Sequence, residues 1–296
     1  MTETGLNALA SATHAIHRAR QHLAKSLTRH FFAVALLALG SGAAADDTPY
    51  QLQNTYPHEP ALFTQGLELY QGKLYESSGL YGHSKIIARK FPPSATDSIT
   101  GTALPANIFA EGISQYRGKL YMLTWRAGRG LIIDPQHFKL LGVFPYQGQG
   151  WGLCASIVEG RADHFVMSNG SDQLQRLAAD SMKLLSTVTV KENGKAIDNL
   201  NELECLGDYV IANQWHTNNL LIIDGRSGEV LKKLDLSALA AAANKTSPLA
   251  PEAVLNGVAY DADDDSWLVT GKLWPSIFRI KFALPALPVQ SSPSRP

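Results

Sequence analysis

The sequence lacks long hydrophobic runs and clusters of basic residues, which argues against a membrane-spanning or a nucleic-acid-binding protein. Its longest apolar stretch near the N-terminus, residues 31–39, is far shorter than the roughly 20 residues that a bilayer-spanning helix needs. Basic and acidic residues balance at 26 each, with no basic–aromatic run of the kind that nucleic-acid binding requires. We therefore expect no nucleic-acid partner and no helix that crosses a membrane in the mature chain.

The first 45 residues have the features of an export signal. Arg18, Arg20, Lys25 and Arg29 precede the apolar residues 31–39, and small residues follow up to Ala45. We predict cleavage after Ala45 and a periplasmic or secreted location, with a retained anchor as the alternative. Cleavage removes four of the 26 basic and one of the 26 acidic residues, which leaves 251 residues with a net charge near −3. The mature chain shows no clear apolar surface stripe, so we expect a monomer.

A motif recurs five times in the remaining chain. Each copy opens with a polar or aromatic residue, followed at the second step by glycine in four of the five copies and then by an apolar residue. The openings are Gln65-Gly66-Leu67, Glu111-Gly112-Ile113, Trp151-Gly152-Leu153, Asn201-Glu202-Leu203 and Asn256-Gly257-Val258. They are separated by 46, 40, 50 and 55 residues, a period typical of propeller blades or solenoid repeats. A second apolar strand follows each opening. The repeat favours one domain over two.

Helical periodicity is scarce after residue 46. Residues 236–244, rich in alanine, predict a short helix, whereas the other segments are short, rich in Leu, Ile, Val and Tyr, and typical of antiparallel strands. The fifth repeat lacks an outer strand, which residues 50–56 can supply. We therefore predict an all-β, five-bladed β-propeller of four-stranded blades over residues 46–284, closed by an N-terminal strand, with a disordered tail at residues 285–296.

Disulfide and metal chemistry have few candidate residues. Cys154 and Cys205 lie in the inner strands of the third and fourth repeats and form either a disulfide or two buried thiols. The histidines beyond the leader, at positions 58, 83, 137, 164 and 216, show no paired ligand spacing. Residues 263–265 are all aspartate and predict a hairpin tip, which could also bind calcium weakly. We expect no cofactor and no catalytic metal.

The repeat also predicts where a site lies. Strand starts and the following connections of a propeller gather at one mouth of the central channel, and such concave points favour binding sites. The residues gathered there are Gln65, Glu111, Trp151, Asn201 and Asn256 from the first strands, with Trp125, Trp215 and Lys272 from the ends of the second strands. The alternative is that these amides and indoles only satisfy turns and fill the channel.

Several of these stretches resemble the glutamine cyclotransferase family, the plant- and bacterial-type glutaminyl-peptide cyclotransferases. The resemblance covers about residues 50–282 and includes Phe63-Thr-Gln-Gly-Leu67, Phe109-Ala-Glu-Gly-Ile113, Gly150-Trp-Gly-Leu153, Leu200-Asn-Glu-Leu-Glu204, Ala212-Asn-Gln-Trp-His216 and Val269-Thr-Gly-Lys-Leu-Trp-Pro275. It implies a five-bladed propeller that converts the N-terminal glutamine of a peptide or protein into pyroglutamate and releases ammonia.

The resemblance also implies residue roles. Glu111 matches the acid/base glutamate, which can shuttle a proton between the attacking amine and the leaving nitrogen. Lys272 and Asn201 match positions suited to stabilising charge on the γ-carbonyl oxygen. The substrate-binding residues are expected to be Gln65 and Asn256, with Phe63, Trp125, Trp151 and Trp215 as apolar walls. Glu202 replaces the glycine of the other openings and is expected to form a buried ion pair or to bind a cation.

Two other classes of function compete with this interpretation. A metal-dependent enzyme is one, since an unrelated type of glutaminyl cyclase uses zinc and some propellers use calcium. A non-catalytic periplasmic binding or assembly module is the other, because a fold alone does not define a function. The presence of Glu111 and Lys272 beside an indole cluster favours the enzyme.

Overall fold

Antiparallel strands make up most of the regular structure. The computed structural model describes residues 49–94, 97–157 and 164–288, so the predicted leader and residues 289–296 lie outside the described part of the chain. Within it, five four-stranded antiparallel sheets form the blades of a five-bladed β-propeller, which confirms the predicted fold class.

The ring is closed by strand β1 (Gln51–Pro57). It pairs antiparallel with the last strand, β22 (Ser276–Lys281), and so completes the fifth blade from the opposite end of the chain. The other two strands of that blade are β20 (Leu255–Asp261) and β21 (Ser266–Gly271). The predicted closure by an N-terminal strand is confirmed, and β1 supplies the outer strand of this blade.

The other four blades each use consecutive strands. Blade 1 contains β2 to β5, which are Thr64–Tyr70, Lys73–Ser78, Lys85–Lys90 and Thr100–Ala103. Blade 2 contains β6 to β9, which are Ala110–Tyr116, Lys119–Thr124, Arg129–Ile133 and Leu140–Pro145. Blade 3 contains β10 to β13, which are Leu153–Ser156, His164–Met167, Gln173–Ala178 and Leu184–Thr189. Blade 4 contains β16 to β19, which are Leu200–Leu206, Tyr209–Gln214, Asn219–Asp224 and Val230–Asp235.

Two short elements connect the last three blades. A small hairpin of β14 (Lys191–Glu192) and β15 (Lys195–Ala196) lies between blades 3 and 4, and helix α1 (Ser237–Thr246) lies between blades 4 and 5. The helix confirms the expectation from the alanine-rich residues 236–244. No helix within the described residues is long and apolar enough to span a membrane.

A tight turn joins the two inner strands of blade 2. Arg117 and Gly118, between β6 and β7, have φ angles of 47° and 75°. Two consecutive positive φ angles match the right-handed twist of a hairpin, and the second position suits glycine because it has no Cβ.

The apolar core is divided among the junctions between blades. Five buried clusters in the described residues each join two neighbouring blades; one packs Tyr121 and Phe144 of blade 2 against Phe165 and Met167 of blade 3. Between blades 3 and 4 the core contains a disulfide between Cys154 and Cys205, with Cα atoms 5.4 Å apart. The alternative of two thiols therefore does not apply.

The start of the predicted tail contacts blade 4. Residues 285–288 form no helix or strand, yet the Tyr209 hydroxyl donates to the Pro285 carbonyl at 2.7 Å and Arg226 Nη2 donates to the Pro288 carbonyl at 3.2 Å. For residues 289–296, the predicted disordered tail lies outside the described part of the chain.

Candidate active site

Irregular pairing marks the start of the innermost strand in four of the five blades. The register between the first and second strands shifts between Thr64 and Gly66, between Ala110 and Ile113, between Leu200 and Leu203, and between Leu255 and Val258. A bulge of this kind turns a side chain away from the alternation of a regular strand. The repeated openings of the sequence are therefore the places where the innermost strands direct polar side chains away from the regular pattern.

The glycine of the opening allows neighbouring blades to approach closely. A Cβ at Gly112 would lie 2.6 Å from both the nitrogen of Leu153 and the carbonyl oxygen of Trp151. The same backbone approach lets the Gly112 N–H donate to the Trp151 carbonyl. Gly66 and Gly152 meet the backbone of the next blade equally closely, so we infer that blades 1 to 3 have glycine here because no side chain fits between their inner strands and those of the next blade.

Glu202 occupies the same step in blade 4 but extends across the channel. Its two carboxyl oxygens accept hydrogen bonds from the backbone N–H groups of Leu67, at 3.2 Å, and Val258, at 2.7 Å, in blades 1 and 5. Burial raises the pKa of this carboxyl well above its usual range. No ion pair of Glu202 occurs among the described residues, so the expected buried ion pair is wrong; backbone donors take the place of a cation.

A cavity of about 340 Å³ lies at the convergence point of the openings. Eight of the nine residues predicted for the site line it: Phe63, Gln65, Glu111, Trp125, Trp151, Asn201, Trp215 and Lys272. Leu80, Phe109 and Glu252 complete the lining. The walls are mainly aromatic, with a few polar groups, which is the usual composition of a small-molecule pocket.

Glu111 is a buried carboxyl with no hydrogen-bond partner for its side chain in the described part of the chain. It lies in the bulge of β6 and is 4 % exposed. Burial raises the pKa of this carboxyl well above its usual range, and the nearby charge of Lys272 partly opposes the shift. A carboxyl with a raised pKa holds its proton to a higher pH than an exposed carboxyl does, and it can both donate and accept a proton.

Lys272 follows β21 and is also buried, at 4 % exposed. Its Nζ lies 4.8 Å from the centre of the Phe63 ring and 5.8 Å from that of the Trp215 ring, so two aromatic faces help to stabilise the cation. Burial lowers the pKa of the Lys272 ammonium to about 8, while the charges of Glu111 and Glu252 act in the opposite direction.

The three amides occupy two different environments. Gln65 and Asn201 line the cavity and are 4 % and 2 % exposed. Asn256, predicted to bind substrate, is not part of the lining: its Nδ2 donates to the Thr64 carbonyl at 2.9 Å and to Gln65 Oε1 at 3.3 Å. The structure therefore places Asn256 behind Gln65, because these two bonds hold its side chain against the backbone of blade 1.

Gln149 connects two of the indole walls. Its Oε1 accepts a hydrogen bond from Trp125 Nε1 at 2.6 Å and another from Trp151 Nε1 at 3.1 Å. Trp151 in turn meets Trp215 edge to face, with ring centres 5.3 Å apart. The three indoles are consequently held as one wall by a single side-chain carbonyl and by ring packing.

The prediction from sequence omitted Leu80, Phe109, Gln149 and Glu252. A signal for Phe109 was present, because it precedes Glu111 by two residues as Phe63 precedes Gln65. Leu80 lies two residues after the second strand of the first repeat, which ends at Ser78. Glu252 had no such signal, since it lies in the loop between α1 and β20 and has no counterpart in the repeat.

The donor set of the cavity contains the carboxyls of Glu111 and Glu252 but no histidine or cysteine. Among the described residues, no group of three or more His, Cys, Asp or Glu side chains has the arrangement needed to hold a metal ion. The hairpin tip at residues 263–265 instead engages cations of the protein: Asp264 accepts from Arg279 Nη1 at 2.6 Å.

Comparisons with known proteins give consistent results. A family model described as glutamine cyclotransferase matches residues 26–282. The chain is 34% identical over 234 residues to the glutaminyl-peptide cyclotransferase of Arabidopsis thaliana, covering 76% of this chain and 69% of that protein. It is also similar to the crystal structure of Myxococcus xanthus glutaminyl cyclase, with a TM-score of 0.69 and 34% identity over 78% of this chain and 95% of the other.

Proposed function

The chain belongs to the glutamine cyclotransferase family, and we propose that it cyclises the N-terminal glutamine of a peptide or protein to pyroglutamate and releases ammonia. In this proposal Glu111 is the acid/base group and no catalytic metal takes part. The observation that carries the proposal is the Glu111 carboxyl, buried and unpaired in a cavity with aromatic walls and one lysine.

The walls suit the shape that the reaction demands. The α-nitrogen of glutamine must reach the δ-carbon of its own side chain, so the substrate has to bend into a five-membered ring. Phe63, Trp125, Trp151 and Trp215 line the cavity and supply rigid apolar walls that can hold the side chain in the bent form. They also exclude the water that would hydrolyse the amide instead.

One carboxyl group can carry out both proton transfers of the reaction. Attack by the neutral amine forms the new carbon–nitrogen bond and leaves an extra proton on the α-nitrogen, while the departing amide nitrogen needs a proton to leave as ammonia. Protonated Glu111 gives its proton to the leaving nitrogen from one oxygen and takes the amine proton on the other. The raised pKa of Glu111 supports this role, since the starting state of the cycle is the protonated acid.

Lys272 and Asn201 are assigned to the γ-carbonyl oxygen, on which negative charge develops as the ring closes. The ammonium of Lys272 is held between two rings and its charge is favoured by Glu252, so it is positioned before the substrate arrives. Gln65, oriented by Asn256, is assigned to the substrate amine or amide.

The proposal is tested by measuring ammonia release from Gln-β-naphthylamide and from a peptide that begins with glutamine. We expect turnover by the protein without its leader, little effect of EDTA, and a fall in kcat of about 10²- to 10⁴-fold in Glu111→Gln. The control is Glu229→Gln, which removes the same charge from the turn between β18 and β19, outside the cavity.

Two results would contradict the proposal. Full activity in Glu111→Gln with an unchanged melting temperature would remove Glu111 from the mechanism. Absence of ammonia release from both substrates would leave the non-catalytic binding module as the better description.

A further inference from the structure

The opening of the cavity is defined by its two exposed lining residues, Leu80 and Glu252. Leu80 is 40 % exposed, and Glu252 is the one charged lining residue in the described structure that is also exposed. The other lining residues are buried or half-buried. A peptide whose N-terminal glutamine fills the cavity must therefore leave past this pair, so its second residue passes next to them.

The loop that carries Glu252 is fixed to the fifth blade by the two residues that follow Glu252. Trp274 Nε1 donates to the Ala253 carbonyl at 2.9 Å, and the Lys272 N–H donates to the Val254 carbonyl at 2.9 Å. Ala253 itself is buried in the core beside helix α1. The backbone beneath Glu252 is thus held by the strand end that carries Lys272, which keeps the carboxylate at the opening.

The other charged residues near the opening are buried or lie outside the cavity lining. Lys272 is buried and in contact with two rings, and Glu111 is buried beside it. The guanidinium of Arg126 lies 3.7 Å from the centre of the Trp125 ring, and Arg126 does not line the cavity. Glu252 is therefore the charge that the outgoing peptide meets at the cavity wall.

We propose that Glu252 selects the second residue of the substrate, favouring lysine or arginine and disfavouring aspartate or glutamate. This inference rests on the proposed function. A lysine or arginine side chain offers an apolar stem to Leu80 and a cation to Glu252, whereas an acidic side chain meets a like charge. Because the carboxylate is exposed, the preference is moderate and weakens as salt is added.

The test compares kcat/KM for C-terminally amidated peptides that differ only in the second residue, as Gln-Lys, Gln-Ala and Gln-Glu. At low ionic strength we expect Gln-Lys to exceed Gln-Glu by about 10-fold, since attraction and repulsion each change the rate by about threefold. In Glu252→Gln the ratio of kcat/KM for Gln-Lys to that for Gln-Glu should fall to about 2. In the control Glu229→Gln this ratio should keep the wild-type value.

A second measurement separates an electrostatic role from a structural one. The negative charge of Glu252 raises the pKa of Lys272, so Glu252→Gln should move the alkaline limb of the kcat/KM profile toward lower pH. A simple loosening of the loop would lower the rate without moving that limb.

The outcomes distinguish the two proposals. Turnover of all three peptides at similar rates, or a ratio that Glu252→Gln leaves unchanged, overturns the role of Glu252 but keeps the cyclisation. No turnover of any peptide overturns the proposed function and this inference with it.

Discussion

At the scale of single residues, the site depends on side chains that hold other side chains. Gln149 illustrates this, because its one carbonyl oxygen accepts from the indoles of both Trp125 and Trp151. Each indole has a single N–H donor, so loss of the acceptor leaves two donors unpaired in a half-buried wall. Gln149 is therefore a positioning residue.

Replacing Gln149 with methionine should disturb both indoles at once. We expect Gln149→Met to lower kcat/KM by about 10-fold, corresponding to about 1 to 2 kcal/mol for the unpaired N–H groups, and to increase quenching of tryptophan fluorescence by acrylamide. Gln149→Glu retains an acceptor oxygen and should keep more activity than the methionine variant. If methionine proves the better replacement, then Gln149 only fills space.

At the scale of elements, the closing strand β1 is tied to the site through a buried ionic network. His58, the residue after β1, places Nε2 3.0 Å from Glu76 Oε2 and Nδ1 2.6 Å from the Trp274 carbonyl. Thr64, next to Gln65, donates to Glu76 at 2.7 Å. Burial would raise the pKa of Glu76, but His58, Thr64 and Arg89 together hold it below its usual range. The network thus joins the strand that closes the ring to the segments of blades 1 and 5 that carry Gln65 and Lys272.

Breaking this network should destabilise the ring closure. We expect Glu76→Gln to lower the free energy of unfolding by about 3 to 5 kcal/mol, because it leaves the buried Arg89 without its partner charge. Urea denaturation gives the free energy, and amide exchange should show the largest loss of protection in β1. Glu229→Gln should stay within about 0.5 kcal/mol of the wild type. A loss below about 1 kcal/mol in Glu76→Gln would mean that the network contributes little to closure.

The repeat made much of the fold and of the cavity predictable from sequence. Gln65 and Glu111 could be identified because each occupies the bulge of an innermost strand, and the period places those bulges around one channel. Asn256 has an equivalent position, but hydrogen bonds to blade 1 turn its side chain behind Gln65, and no repeat pattern encodes such a contact. Glu252 lies outside the repeat, so only the three-dimensional packing of its loop brings it to the opening.

At the scale of the whole molecule, carboxyl groups hold the inner strands together. Besides Glu202, Glu68 of blade 1 accepts from the Gln115 N–H of blade 2 at 3.0 Å, and Glu204 of blade 4 accepts from the Tyr260 N–H of blade 5. The disulfide between Cys154 and Cys205 adds a covalent link between blades 3 and 4. Such a bond persists in an oxidising compartment, which supports our proposal that the protein acts after export.

These channel carboxyls make stability depend on pH. Burial raises the pKa of Glu68 from 4.5 to about 7, and it also raises the pKa values of Glu202 and Glu204 well above 4.5. At pH values between the pKa of these carboxyls in the unfolded chain and their higher pKa in the folded protein, the folded state binds more protons than the unfolded state. Stability is therefore greatest at the acidic end of this pH interval and falls as pH rises.

We expect the melting temperature to fall between pH 5 and pH 7.5, by about 3 °C or more, since one unit of pKa shift corresponds to about 1.4 kcal/mol and a domain of this size changes by about 2 to 4 °C per kcal/mol. Glu68→Gln keeps an acceptor for the Gln115 N–H but cannot titrate, and should therefore show a shallower slope. Glu229→Gln, at a half-buried position in the turn between β18 and β19, should reproduce the wild-type slope. A melting temperature that is constant or rises over this interval would show that the channel carboxyls are ionised in the folded protein throughout, with the backbone N–H donors outweighing the cost of burial.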